Sequence, residues 1–354
     1  MKDKIITITF LVYIFLFSIL GIVIKDNEVS FEERRKLQEF PKFTLDNTYV
    51  TKIDKYFLDH FPLRTNFRSI KANYNYNILN MLDNNGIYLK DNYIFKSDYK
   101  INENSLNNFI NKTKKIQSLL TIDNKTYLMI VPDKNYYLED TNFLRLDYDT
   151  LYNSLDTLNM TKIDIRNTLS LEDYYETDTH FKQEKLYKVV LEMSKVMDFD
   201  YKNIYYNKTC YDKFYGVYYG EAALKRKPEN ICYLTNNIID NVYVNYLENK
   251  DLHKVYNLNK LNSFDSYEVY LDGASSFIEI YNYNNKEGKE LVIFRDSFGS
   301  SLTPLLINYY SKITVIDNRY INSNNFLNYI EFTNQDILFM YSTLIINNSG
   351  SLKG

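Results

Sequence analysis

The chain has 354 residues and a net charge of −3, from 42 Lys and Arg against 45 Asp and Glu. That length allows one large domain with an appendage or two modest domains, and the near-neutral balance supplies neither a basic field for nucleic acid nor an acidic tail for a chaperone-like partner. The 36 tyrosines, 9 glycines and absence of tryptophan read mainly as coding bias, so no single tyrosine is informative by itself.

In chain order, Ile5 to Ile24 comes first, a stretch without charge between Lys2 and Lys4 on one side and Lys25-Asp26 on the other. Twenty such residues in a helix, rising ~1.5 Å each, cover the roughly 30 Å hydrocarbon core of a bilayer. The stretch is too long for a typical signal-peptide core, and no small-x-small cleavage pattern follows Gly21. The amino-terminal lysines favour a cytoplasmic start. Residues 1–25 are therefore expected to be a membrane anchor, with a cleaved signal peptide as the alternative. Either places the remainder on the extracytoplasmic side.

Residues 26–80 read as a stalk and helical lead-in. Ser30-Phe31-Glu32-Glu33-Arg34-Arg35 is expected to be a solvated run. Ile53, Phe57 and Phe61 share one helical face, Pro62 should end that helix, and Asn66 to Met81 looks helical again. From about Gly86 strands alternate with helices. Tyr127–Val131 and Thr161–Ile165 are candidate strands. Lys182–Met197 is an amphipathic helix with Leu186, Val189, Val190, Met193 and Val196 on one stripe. Near the carboxyl end, strands at 291–294, 312–316 and 337–341 alternate with helices at 301–310 and 322–330. Such alternation implies parallel pairing with right-handed crossovers, hence a three-layer α/β sandwich over 81–354 with a mainly parallel central sheet.

Two segments carry chemistry. Thr177-Asp178-Thr179-His180-Phe181 places a carboxylate two residues before an imidazole. Phe294-Arg295-Asp296-Ser297-Phe298-Gly299-Ser300 places a serine just past an apolar strand, where working residues of such sheets gather. A serine hydroxyl needs a neighbouring base to become nucleophilic at neutral pH. Brought together, Ser297, His180 and Asp178 would form a nucleophile, a base and its orienting acid. The competing reading makes Asp178 or Thr179 a helix cap, with Glu184 as a capping-box partner, and Ser297 an N-cap.

The backbone N–H of Ser297 and, through close backbone approach, Gly216 are candidate oxyanion donors. Arg319 and Asp296 are further candidates for the cleft, with a structural ion pair as the alternative for Arg319. His60 and His253 read as packing or loop residues. Cys210 and Cys232 bracket a loop-like stretch, and spacing leaves one disulfide and two free thiols both open. A metal held by Asp178, His180 and Asp296 lacks a clear ligand cluster, and no glycine-rich phosphate loop or dinucleotide fingerprint is present. No cofactor or metal is therefore expected.

Several landmarks recur in a recognisable order. They are Glu33-Arg34-Arg35-Lys36-Leu37…Phe40-Pro41, Tyr56–Arg64, Val131-Pro132-Asp133-Lys134, Thr177–Phe181, Arg295–Gly299 and Val315–Tyr320. In them the chain resembles the DHHW family, grouped with SGNH-hydrolase-like proteins that include the alginate-type polysaccharide O-acetylation proteins. The name motif Asp-His-His-Trp stands here as Asp178-Thr179-His180-Phe181, and Arg295 occupies a position often held by Gly in Gly-Asp-Ser. The resemblance implies a permuted SGNH-like fold with Ser297, His180 and Asp178 as the triad. It implies an extracytoplasmic O-acetyltransferase acting on a polysaccharide and supplied by a membrane-bound O-acyltransferase partner. An acetylesterase, and a polysaccharide-binding or assembly factor without activity, are the alternatives on the same fold.

Overall fold

The computed structural model describes residues 2–139 and 143–353. Among them, the central sheet has seven strands. These are β1 Thr126–Val131, β2 Thr161–Ile163, β3 Tyr243–Tyr246, β4 Phe277–Tyr281, β5 Glu290–Arg295, β6 Lys312–Ile316 and β7 Asp336–Ser342. Their spatial order is β3-β4-β6-β5-β7-β1-β2. The five strands from β6 to β2 are parallel, β4 runs antiparallel to β6, and β3 antiparallel to β4.

Burial on both faces explains why the inner strands are apolar at most successive positions rather than at alternate ones. In β5, Leu291 and Ile293 point into one core, shared with the helices Tyr187–Met197 and Phe298–Leu306. Val292 and Phe294 point into the other, shared with Leu106 and Phe109 of helix Glu103–Gln117 and with Phe339 of β7. Successive strand side chains alternate between faces, so one sheet with two apolar faces and helices on each gives three layers. The fold is the mainly parallel α/β sandwich expected.

Element boundaries differ in instructive ways. The helix after β5 begins at Phe298 rather than 301 and is buried throughout. The segment expected as a helix at 322–330 is helical only over Ser323–Phe326. The amphipathic helix is Tyr187–Met197, preceded by a separate tight turn at Gln183–Lys185. In the lead-in, helix Asn47–Asp59 starts on Asp46, whose side chain accepts from the Tyr49 N–H at 3.0 Å. Helix Arg64–Asn73 continues into one wider turn, Tyr74–Ile78.

Two expectations are corrected. The stretch between the cysteines is not simply a loop: strands Asn207–Phe214 and Glu229–Thr235 pair antiparallel around helix Val217–Ala222. Cys210 faces Cys232 across that ladder and is bonded to it. The run Ser30–Arg35 is not solvated throughout, because Glu33 and Arg34 are drawn into ion pairs and the Arg34 side chain is only 5% exposed. Helix Lys2–Val23 buries none of its residues against the rest of the chain, and its length and hydropathy suffice to cross a membrane.

Candidate active site

Strand β5 ends at Arg295, and the chain turns through Asp296 and Ser297 into helix Phe298–Leu306. Asp296 is fully buried, and its carboxylate accepts from the N–H of Phe298 at 3.0 Å, the N–H of Ser342 at 2.7 Å and the Ser342 hydroxyl at 2.6 Å. It ties the end of β7 to the turn and holds the serine still. Asp296 is thus a structural residue, and its carboxylate is committed away from the cleft. Ser297 opens the helix, yet its hydroxyl makes no capping bond. Instead Ser297 Oγ lies 2.7 Å from His180 Nε2, across 117 residues of sequence.

His180 Nδ1 lies 2.6 Å from Asp178 Oδ1, which also accepts from the His180 N–H at 3.0 Å. Neither Asp178 nor Thr179 caps the following helix, whose first turn lacks a side-chain cap. The imidazole stacks on Tyr267 with ring centroids 3.7 Å apart and planes 9° from parallel. Phe298 packs against it at 4.8 Å. Tyr267 is itself held by a hydroxyl contact with Ser301 at 2.9 Å. The ring is therefore held in the orientation that presents Nε2 to the serine.

The segment Tyr174–Phe181 is a closed loop, bridged at its base between Tyr174 and Phe181. Three other parts of the chain grip it. Buried Lys134 donates from Nζ to the carbonyls of Tyr175, Glu176 and Asp178 at 3.0, 2.9 and 2.8 Å. Burial pushes this ammonium down to about 7, against the pull of the Glu229, Asp178 and Glu176 carboxylates. Glu229 accepts from the N–H groups of Glu176 and Thr177, both at 2.7 Å, and from the Thr177 hydroxyl. The third grip is the start of helix Val217–Ala222, where the Val217 N–H donates to Asp178 Oδ2 at 2.8 Å.

Gly216 does not serve as the second oxyanion donor. Its N–H donates to Thr177 Oγ1 at 3.0 Å, and a Cβ there would stand 2.2 Å from the Thr177 carbonyl oxygen. Glycine is needed because two backbones touch. Arg319 is also committed elsewhere, donating from Nε and Nη2 to Asp317 at 2.9 and 2.6 Å. Arg295 is buried and donates to Asp317 and to the Gly273 and Asp296 carbonyls, not to the Asp296 carboxylate. The Ser297 N–H has no hydrogen-bond partner among the described residues and stands at a helix start, where negative charge is favoured. His60 and His253 lie apart, against the carbonyls of Gln38 and Val244.

One participant was not anticipated as part of the site. Arg34, from the lead-in, donates from Nη1 to Asp178 Oδ2 at 2.6 Å and from Nη2 to Asp265. Its backbone sits at φ 51°, a left-handed conformation that costs a non-glycine residue about 1–2 kcal/mol. Burial alone would raise the Asp178 carboxyl, but attraction to His180 and Arg34 and hydrogen bonds from His180 and the Val217 N–H outweigh it and hold the group well below the usual carboxylate range. Asp178 therefore stays an anion under the imidazole, as an orienting acid must. Arg34 and Lys134 both lie within the landmarks that carry the family resemblance. Glu229 and Tyr267 have no local signal at all, since only folding brings them to the loop.

Comparison with solved structures gives the fold a context. A DHHW family protein from Eubacterium siraeum superposes with a TM-score of 0.62 at 19% identity, over 77% of this chain and 97% of that one. The chain shares the DHHW fold. Bacillus cereus PatB1, solved with a sulfonyl adduct, superposes on this DHHW-type fold at TM-score 0.57 and 16% identity, over 73% of this chain and 97% of its own. The O-acetyltransferase domain of Pseudomonas putida AlgJ aligns at 0.43 and 12% identity, over 74% and 92%, too distant to support a conclusion about the site. No family model and no curated protein matches the sequence.

Proposed function

We propose that this protein is a serine-dependent O-acetyltransferase that moves an acetyl group through Ser297 onto a hydroxyl of an extracytoplasmic polysaccharide. The observation that carries the reading is the continuous hydrogen-bonded line Ser297–His180–Asp178. Ser297 Oγ attacks the acetyl carbonyl while His180 Nε2 takes its proton; the donor's leaving oxygen departs with that proton, leaving O-acetyl serine. An acceptor hydroxyl then gives its proton to His180, attacks the ester, and returns Ser297 to its starting state. The Ser297 N–H receives the developing oxyanion.

Location supports transfer. Helix Lys2–Val23 acts as an anchor, and the Cys210–Cys232 bond suits an oxidising compartment. Outside the cytoplasm there is no acetyl-CoA, so the donor is an acetyl group delivered by a membrane-bound O-acyltransferase beside the anchor. Full-length protein in detergent, given a chromogenic acetyl ester with and without glycan oligomers, tests the reading. Acceptor-dependent acetylated glycan is expected, whereas acetate release indifferent to acceptor indicates an esterase. Ser297→Ala should lower turnover on the order of 10⁴-fold or more. Turnover that survives this change refutes the nucleophile assignment, and glycan binding without any turnover would leave an assembly factor.

A further inference from the structure

The lead-in helices are amphipathic the wrong way round for a soluble domain. In Arg64–Asn73 and the wider turn after it, the face toward the body is polar. Arg64 and Arg68 pair with Glu33, Arg68 also donates to the Gly220 carbonyl, and Asn75 donates to Asn84. Only Ala72 is buried. The apolar residues Leu63, Phe67, Ile70, Tyr74 and Ile78 recur at spacings of three and four, which places them on one stripe. That stripe faces outward: Ile70 is 64% and Ile78 65% exposed. Val50, Phe57 and Phe61 of the preceding helix and turn are exposed in the same manner. Monomeric soluble proteins rarely leave a continuous apolar surface of this kind uncovered.

The stripe is continuous with the anchor. Phe61 stacks on Phe17 of helix Lys2–Val23 at 5.4 Å, and Phe67 meets the same ring at 5.7 Å. Pro62 lies against Gly21, 3.9 Å from where a Cβ would stand. An apolar cleft of about 990 Å³ opens between the anchor's Ile14, Phe17 and Ile22 and the rings of Phe40, Phe57 and Phe61. Phe17 lies six residues before the helix end at Val23, hence about 9 Å down the axis. If the anchor spans, its partners Phe61 and Phe67 cannot remain in water; they lie at the depth of the outer leaflet's acyl chains.

We infer that Val50–Ile78 is a second, interfacial membrane-binding element, seated in the outer leaflet with its apolar stripe among lipid acyl chains and its arginines turned toward the α/β body. The inference rests on the anchor reading. It gives the protein a fixed attitude at the membrane, because Glu33, bound to Arg64 and Arg68, precedes the Arg34 that holds Asp178.

The lack of native tryptophan makes a clean test available. Full-length Phe10→Trp, Ile70→Trp and Ile122→Trp variants, each with a single tryptophan, are reconstituted in vesicles of phosphatidylcholine and phosphatidylglycerol brominated high or low on the acyl chains. Ile70→Trp should fall to less than about half its emission with shallow bromines, Phe10→Trp should respond to deep ones, and Ile122→Trp, on a fully exposed turn of the body, to neither. A quenched Phe10→Trp beside an unquenched Ile70→Trp overturns the inference, keeps the anchor, and leaves the face to a protein partner. An unquenched Phe10→Trp with a quenched Ile70→Trp refutes the span while upholding the lipid contact. If neither is quenched, both readings fail.

Discussion

At the scale of single residues, the candidate site is defined less by the serine, histidine and aspartate it joins than by what immobilises them. Asp178 is reached by His180, a backbone N–H and a guanidinium, so it is an anion whose position is overdetermined. Arg34→Ala should lower kcat on the order of 10- to 100-fold by letting the dyad drift, with KM little changed. It should also move the onset of acid unfolding to higher pH. The sign follows from the carboxylate: its folded pKa lies below the unfolded ~3.9, so its contribution is complete above that value and is lost as pH falls through the folded value. Removing the guanidinium raises that folded value. Arg34→Lys should restore only part of the rate, since an ammonium cannot bridge Asp178 and Asp265 as the planar fork does. An unchanged onset of acid unfolding in Arg34→Ala would reduce Arg34 to a packing role.

At the scale of elements, the hairpin Asn207–Phe214 and Glu229–Thr235 is a buttress built outside the central sheet. It delivers Glu229, Gly216 and Val217 to the Asp178 loop, while Lys134, just past β1, holds the loop's carbonyls. The Cys210–Cys232 bond has a sequence separation of 22 residues, a loop whose closure restricts the unfolded chain by about 3 kcal/mol. Reduction with dithiothreitol should therefore lower the urea-unfolding free energy by about that amount, and activity should fall with it because the buttress carries hydrogen bonds to the Asp178 loop. Equal stability before and after reduction would mean the bond only decorates a rigid hairpin. The bulge between Tyr211 and Phe214 lets the strand leave its ladder where the chain must turn toward Thr177.

At the scale of the whole molecule, six arginine–carboxylate pairs among the described residues fasten the lead-in: Arg35 with Asp59 and Glu33, Arg64 and Arg68 with Glu33, and Arg34 with Asp178 and Asp265. The hydrogen bond from Arg35 holds the Asp59 carboxyl down at about 2 against its burial. For Glu33 burial acts upward, but Arg64, Arg68 and Arg35 together draw it below its ordinary value. Depressed carboxyls stabilise in full above their unfolded values, ~3.9 for Asp and ~4.3 for Glu, and lose that effect as pH falls through the folded ones. Pepsin should accordingly begin to cut within residues 37–63 as pH falls from about 4 toward 2, ahead of the α/β body. Glu33→Gln should make that cutting visible at higher pH. Resistance unchanged across the range would show that packing, not charge, holds the segment.

Much of this was legible in the chain. Strands β5, β6 and β7 are legible nearly to their ends because burial on both faces makes them mostly apolar runs, and Asp178, His180 and Ser297 stand out through residue type and position. The antiparallel pair β3 and β4 was missed because mixed runs such as Tyr243–Tyr246 carry no periodic signal. The partners of Gly216, Arg319 and Asp296 were equally hidden: a glycine reads the same whether its N–H faces a ligand or a threonine 39 residues away. By itself, then, the sequence determined the parallel strands of the sheet, the anchor-length helix and the candidate serine, histidine and aspartate, since these depend on local hydrophobicity and side-chain chemistry. Only the tertiary structure decided that Arg34 belongs to the site and that the lead-in turns its apolar side outward, because both depend on contacts between segments far apart along the chain.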